Sequence, residues 1–438
     1  MEQAIIEAHE LVDRPNETTD WTELDQGQHS LPRPDGGKDA WLFLCSCFIL
    51  EALVWGMPFS YGVFQTHYTA NFASASSSIA AIGTSQTGIM YLSTPLLALL
   101  MQRWPRLRRL GMYAGAVIAI TAMVAASFCN SVSGLLATQG VMYAIGGMTL
   151  YYPAMVYVDE WFVARKGTAY GVMWAGTGSA GVVVPFLLQW LLDSYGFRVA
   201  LRVWAVVLVV GITPCLFWVK PRLPITSSNA LRPVNFGFMK HPPFWIFLAG
   251  VVFQSLSFFL PPLWLPSFAA EIGLPKFAGP LGLAVINLAN CFGAPMVGWL
   301  VDRFHVSVAL SITTLGQVVA IFVFWGLTSS QAMFYMFALT FGLFGGGFSS
   351  TWSRYAPAME KQSGNERTEA GLVLSLMCAG RGIGAVITGP LSEALLEGGW
   401  SSRASFAYGT DYGVLILFSG VFATLGGTAC VGRLLKLL

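Results

Sequence analysis

Along this chain, runs of about 20 almost continuously apolar residues alternate with short polar segments. Twelve such runs are legible. Six lie at 41–64, 79–101, 110–128, 135–158, 167–190 and 199–217, and six more at 244–264, 277–301, 306–326, 333–352, 371–391 and 412–430. An α-helix rises 1.5 Å per residue, so ~20 apolar residues match the hydrocarbon thickness of a bilayer. The runs are continuous rather than alternating, and they exceed the ~10 residues of a barrel strand, so each predicts a helix. With 55% of its residues hydrophobic and 11% charged, the chain takes lipid rather than water as its solvent. The pattern predicts an all-α membrane protein of twelve transmembrane helices in two six-helix bundles, 41–217 and 244–430. A disordered cytosolic tail (1–40), a cytosolic connector (218–243) and a short cytosolic tail (431–438) complete it.

Charge sets the topology. Of 24 lysines and arginines, Arg198, Lys276 and Arg403 fall on one side, Arg202 and Arg381 lie within spans, and all the others share the opposite side. Basic loops stay in the cytosol, which places both termini there. The first forty residues are acidic and lack the basic start and apolar core of a secretory signal, and the Asn16-Glu17-Thr18 sequon would lie in the cytosol. The plasma membrane is the expected location, with a vacuolar or other endomembrane as the alternative. Glycine inside the spans, as in the Gly342/Gly346 pair, suits close helix packing in lipid.

Several chemistries are missing from the chain. There is no phosphate-binding G-x-x-x-x-G-K-[ST] loop, no H-E-x-x-H zinc site and no G-x-S-x-G nucleophile elbow. The seven cysteines lie in or beside spans, with no metal or disulfide spacing; the net charge of +2 says nothing about partners, and no nucleic acid is expected. The expectations are no enzyme activity, no cofactor, no metal and no obligatory protein partner. What remains is transport of a small molecule driven by an existing gradient.

Two loops are copies of one another. Gly298-x-x-x-Asp302-Arg303 follows the eighth span, and Ala98-x-x-x-Gln102-Arg103 follows the second. Equal offsets in both halves indicate internal duplication, with bundles related by a pseudo-twofold axis along the membrane normal. The loops resemble that of the major facilitator superfamily, roughly G-x-x-x-D-R-x-G-R-R, whose charges help lock the cytoplasmic side. The resemblance implies a cytosolic gate at Arg103, Asp302 and Arg303. The first copy departs from it at Ala98, Gln102 and Pro105.

A narrower resemblance covers nearly the whole chain from Asp35. Asp35-Gly36-Gly37-Lys38-Asp39-Ala40-Trp41 opens the first helix, and Glu160 to Gly171, with Arg165-Lys166, opens the fifth, followed by Gly176-Thr177-Gly178-Ser179-Ala180-Gly181. Both resemble the paired signatures of the monocarboxylate porter family in its fungal branch. Physically, Arg165 and Lys166 suit lipid phosphates, and the glycines make a slim face for a neighbouring helix, so these motifs read as architecture. Where animal members of that family carry a lysine, an aspartate and an arginine for proton and carboxylate, this chain has Phe59, Asn290 and Ala294.

Other ionisable groups stand at membrane depth: Glu51 in the first span and Arg381 in the eleventh. A charge there is costly, which makes each a functional candidate. One hypothesis makes Glu51 the proton carrier and Arg381 the seat of an anionic substrate group, or Glu51's partner between substrates. The other makes both packing residues. Trp55 shares a helical face with Glu51, Asn287 and Asn290 share another, and Tyr151 a third, together a candidate substrate and proton pathway. Pro261-Pro262 is expected to break the seventh helix, and Asp159 and Glu160 to lie at a cytosolic helix end. The expected function is proton-coupled secondary transport of a small organic molecule, a carboxylate among the candidates, leaning to export of a secondary metabolite. Import of a monocarboxylate or nutrient, and a non-transporting sensor, stay open as alternatives.

Overall fold

The computed structural model describes residues 32–72, 76–223, 235–362, 369–399 and 406–428. Nearly all of the N-terminal tail, the C-terminal tail and the middle of the connector lie outside the described residues, as do Arg403 and the end of the twelfth span. Helix α1 runs Lys38–Phe59 and continues past Ser60 as Tyr61–Asn71. α2 (Ser76–Leu92) resumes after Ser93 as Thr94–Arg103, α3 is Arg106–Ala126 and α4 is Val132–Trp161. α5 and α6 share one run, Lys166–Trp218. α7 is Pro242–Glu271, α8 Ala278–Arg303 and α9 Val306–Trp325. α10 (Gln331–Gly347) tightens into a 3₁₀ segment, Phe348–Arg354, and ends as Tyr355–Gln362. α11 is Ala370–Glu397 and α12 is Gly413–Gly426.

At 53 residues, the α5–α6 run would be about 80 Å long if straight, far more than a bilayer. It reverses at Gly196, whose φ of 76° and ψ of 171° are not helical. Only glycine takes this conformation without strain. The hairpin is plain from α1: a Cβ on Gly56 would meet Ala180 and Val184 of α5 and also Trp204 of α6. α2 keeps helical angles through Ser93, where Pro95 has no N–H to give the Tyr91 carbonyl and the Thr94 hydroxyl donates to it instead at 2.7 Å.

The expected break at Pro261-Pro262 is not there: α7 passes through Pro261, Pro262 and Pro266 as one helix. Pro261 has no N–H to give the Ser257 carbonyl, and the Ser419 hydroxyl of α12 donates to that carbonyl instead at 3.1 Å. A neighbouring helix thus repairs the gap, as lipid requires.

Small residues bring the two bundles together. Gly171 of α5 lies against the Ala294 carbonyl of α8, and Gly178 against the Asn287 carbonyl. Gly176, also on α5, backs onto the Phe48 carbonyl of α1. The pseudo-equivalent contact joins α2 to α11, with Gly382 against Tyr91 and Gly88 against Val386. Gly342 and Gly346 seat α10 on Ile286 and Asn290 of α8. Outside, side chains such as Val117, Val210 and Phe217 project from the bundle as a lipid-facing belt. Gly171→Val should force α5 off α8, an overpacking cost of about 1–3 kcal/mol or more. Its check is a thermal-shift assay by fluorescence-detected size exclusion, where a fall of several degrees or loss of the monodisperse peak is expected.

Candidate functional site

A cavity of about 710 Å³ lies between the bundles. Its lining runs from Glu51 to Thr66 on α1, from Trp174 to Gln189 on α5, from Phe258 to Pro266 on α7, and from Asn290 back to Pro280 on α8. All four paths lead from mid-span toward one face of the molecule. The other face carries Lys38, Lys166 and Arg303, and there the bundles are shut.

Asp302, at the last turn of α8, makes that closure. Its Oδ1 accepts from the Gly167 N–H at 2.8 Å, and its Oδ2 from the Thr168 N–H at 2.7 Å and the Thr168 hydroxyl at 2.8 Å. A helix N-terminus presents unpaired N–H groups and the positive end of its dipole, so a carboxylate from the other bundle caps α5. Arg354 of α10 adds an ion pair to Oδ1 at 3.0 Å and donates to the Ala164 carbonyl at 3.3 Å. Gly298 and Gly167 meet backbone to backbone, and on the α2–α11 side the Thr94 hydroxyl donates to the Ser375 carbonyl at 2.9 Å.

The other gate candidates do not cross between bundles. Arg103 is exposed, and Arg303 is exposed over the ring of Trp299. In the first loop it is Arg108 that engages a neighbour, Glu160 at 3.8 Å. Gln102, the counterpart of Asp302, lies by Gly371 at the start of α11, and its buried Oε1 has no hydrogen-bond partner among the described residues. An amide there lacks the charge that makes Asp302 a cap.

The family-motif residues grip the same loop from the other side. Asp35 Oδ1 accepts from the N–H groups of Val163, Ala164 and Arg165 at 2.8–3.0 Å. Burial raises the Asp35 pKa, but the N–H bonds of Ala164, Arg165 and Val163 and the Arg165 charge outweigh it and leave it below the ordinary 3.8. This stabilisation is therefore full at neutral pH and fades only as pH falls through that lowered value. Gly37 takes a positive φ of 89°, Gly36 precedes it, and Trp41 sets its edge on Phe162. Arg165 is exposed, while Lys166 pairs with Asp159 at 3.0 Å.

Inside the cavity, Glu51 is 3% exposed. The Thr177 hydroxyl of α5 donates to its Oε1, while Oε2 is buried without a partner among the described residues. The Tyr151 hydroxyl interacts weakly with Glu51, outside strict hydrogen-bond geometry, the Asn290 Oδ1 has no partner among the described residues, and Trp55 packs on Tyr91 with ring centroids 4.5 Å apart. Asn287 donates to the Leu283 carbonyl at 3.0 Å and reaches Gly181. Arg381, 6% exposed, faces the same cavity from the other bundle. Its Nη1 donates to Gln254 Oε1 at 3.4 Å rather than to Glu51, so the two charges form no ion pair in this conformation. The structure thus brings Glu51, Trp55, Tyr151, Asn287, Asn290 and Arg381 to one cavity.

The model of the Major Facilitator Superfamily matches residues 44–365. The chain belongs to the Major Facilitator Superfamily. It is similar to the MFS-type transporter pynF of Aspergillus niger, 24% identical over 92% of this chain and 92% of the relative. The Fujikurins efflux protein of Gibberella fujikuroi is 25% identical over 96% of this chain and 89% of its own. Monocarboxylate transporter 4 of Rattus norvegicus is 24% identical over 94% and 87%. This protein is accordingly an integral, multi-pass membrane transporter rather than an enzyme, with a small molecule as its cargo.

Sequence reading missed Thr177, Arg354 and Gln254. Thr177 sits inside a glycine-rich motif that reads as packing, and its signal is a hydroxyl among glycines on the face toward α1. Arg354 lies just past the end of an apolar run, where any arginine reads as a topology signal. Replacing Asp302 with alanine removes three hydrogen bonds and an ion pair, about 1.5–3 kcal/mol of closed-state preference. A cysteine at Ser375, buried behind the latch, should then react with an impermeant maleimide from the Asp302 face about tenfold faster or more.

Proposed function

We propose that this transporter exports an organic metabolite by proton-coupled alternating access, with Glu51 as the proton site. The observation that supports this most is the cavity itself. A buried carboxylate with one unsatisfied oxygen shares it with an unpaired guanidinium, and one face is latched while the lining continues toward the other. A charge in a span is tolerated where it faces a cavity and does work there. With both termini in the cytosol, as the basic loops imply, the latched face is cytosolic and this conformation faces outward. Glu51 then meets external protons through the cavity. Each cycle imports a proton on Glu51 and returns with cargo in its place.

The direction rests on relatives. Two similar proteins are named as efflux proteins, of fujikurins and of aspyridones, and this chain covers 89% and 79% of their lengths. The plasma membrane is the natural site for such export. Import of a monocarboxylate is the rival direction, since two rat monocarboxylate transporters are similar as well.

Untargeted metabolite profiling of cells and medium, with the gene deleted, restored and overexpressed, decides between them. Export predicts a compound retained in the deletion strain and enriched outside the overexpresser. Restoring Glu51→Gln should leave that compound inside. A medium compound left unconsumed by the deletion strain would mean import, and unchanged pools would contradict transport.

A further inference from the structure

The cavity's chemistry is uneven in a way that narrows the cargo. Its walls are mainly apolar and carry aromatic rings, Trp55, Trp174, Phe258, Phe259 and Trp352 among them, and its volume of about 710 Å³ lies within the ~300–1,000 Å³ range of sites for drug-sized ligands. A short organic acid would fill a small part of it. Cation chemistry is concentrated at one point. Three rings, Phe258, Phe259 and Trp352, lie 4.4, 5.2 and 5.9 Å from the Arg381 guanidinium carbon.

What holds Arg381 is a chain of neutral groups. Gln254 Nε2 donates to Gln317 Oε1 at 3.3 Å and to the Gly345 carbonyl at 3.1 Å, so its Oε1 is the atom turned to Arg381. Gln317 Nε2 donates to Ser257 Oγ at 3.2 Å, and Ser257 pairs with Ser419 at 3.1 Å. These four residues are at most 1% exposed and tie α7, α9 and α12 together. The chain orients the guanidinium without neutralising it. Beyond Gln254 and a weak interaction with Tyr91, most of the five N–H donors have no protein acceptor among the described residues. Among the described residues its side-chain hydrogen bond goes to the neutral Gln254 and not to a carboxylate. An arginine fork left charged in an apolar chamber is matched by a planar, delocalised anion that can take two parallel hydrogen bonds.

We propose that the cargo is an amphiphilic organic acid whose planar anionic head, a carboxylate or an enolate, sits on Arg381 while an extended aromatic or conjugated body fills the ring-lined cavity. The assignment rests on the transporter reading and narrows it to a ligand class. Large size and aromatic walls exclude short hydrophilic acids as the main cargo, and the uncompensated guanidinium disfavours neutral molecules of the same shape.

The test is equilibrium binding of pyrenebutyrate to the detergent-purified full-length protein at neutral pH, followed by quenching of tryptophan emission. Its primary amide serves as the uncharged isostere and lactate as the short acid. The acid should bind about tenfold tighter than the amide or better, the scale of one charge-assisted pair. Lactate in hundredfold excess should not displace it. Arg381→Gln should erase the preference for the acid, and Arg381→Lys should keep part of it. Equal binding of acid and amide, displacement by lactate at comparable concentration, or no binding of either pyrene compound would each overturn the assignment. The comparison of ligands on the unmodified protein stands even if the arginine variants misfold. None of these failures touches the export reading, which profiling decides separately.

Discussion

One carboxylate at the end of α8 decides what kind of cavity this protein has. Asp302 takes two backbone N–H groups and a hydroxyl at the start of α5, and Arg354 holds it there from α10. An intact helix start offers N–H groups that nothing in the helix can satisfy, so the cap is available without any local rearrangement. Because Asp302 and α5 belong to different bundles, making the bond shuts one face, and a cavity that would otherwise be a channel becomes one-ended. Asp35 supports the arrangement by fixing the preceding turn through three further N–H groups, so one short loop is gripped from both sides.

The interior obeys the economy of lipid. Many polar groups at depth find a protein partner or face the cavity. α7 runs through three prolines as one helix, Ser419 fills the gap that Pro261 leaves at Ser257, and the same serine pair ends the chain that reaches Arg381. Some buried polar atoms without a hydrogen bond among the described residues line the cavity, Glu51 Oε2 and the Asn290 Oδ1 among them, and others, such as both side-chain polar atoms of Gln86 and the Trp325 indole N–H, lie away from it. Between cavity and latch stands the 3₁₀ segment Phe348–Arg354, which puts Ser349 and Trp352 in the lining and Arg354 on Asp302. A stretch of 3₁₀ helix this long is unusual and often marks a hinge. The cavity and the latch therefore share one short element.

Much of this is legible in the sequence. Apolar runs give the helices because lipid demands about 20 such residues per crossing, and the repeated loop gives the two halves. Glu51 and Arg381 stand out because charges are rare at that depth. What was not legible depends on partners far apart in sequence. The glycines of α5 read as a slim face, which they are, but nothing local says that Thr177 among them reaches Glu51. Pro261-Pro262 reads as a break because the rescuing hydroxyl is 162 residues away from Ser257. Arg103 and Arg303 share the loop motif with Asp302 yet stay at the surface, since a motif fixes spacing along the chain and not which residue spans two bundles.

The central claim is that a single cavity opens to one face only as it closes to the other. Electron–electron distance measurements between spin labels test it most directly. One pair, replacing the exposed Arg106 and Phe304, reports the latched face, and another, replacing the exposed Phe128 and Phe277, reports the opposite one. In the unaltered latch the first distance should be narrow and short; with Asp302→Ala it should lengthen while the second shortens. If the first lengthens and the second holds still, or if the two lengthen together, the bundles do not rock about a shared cavity and the account fails.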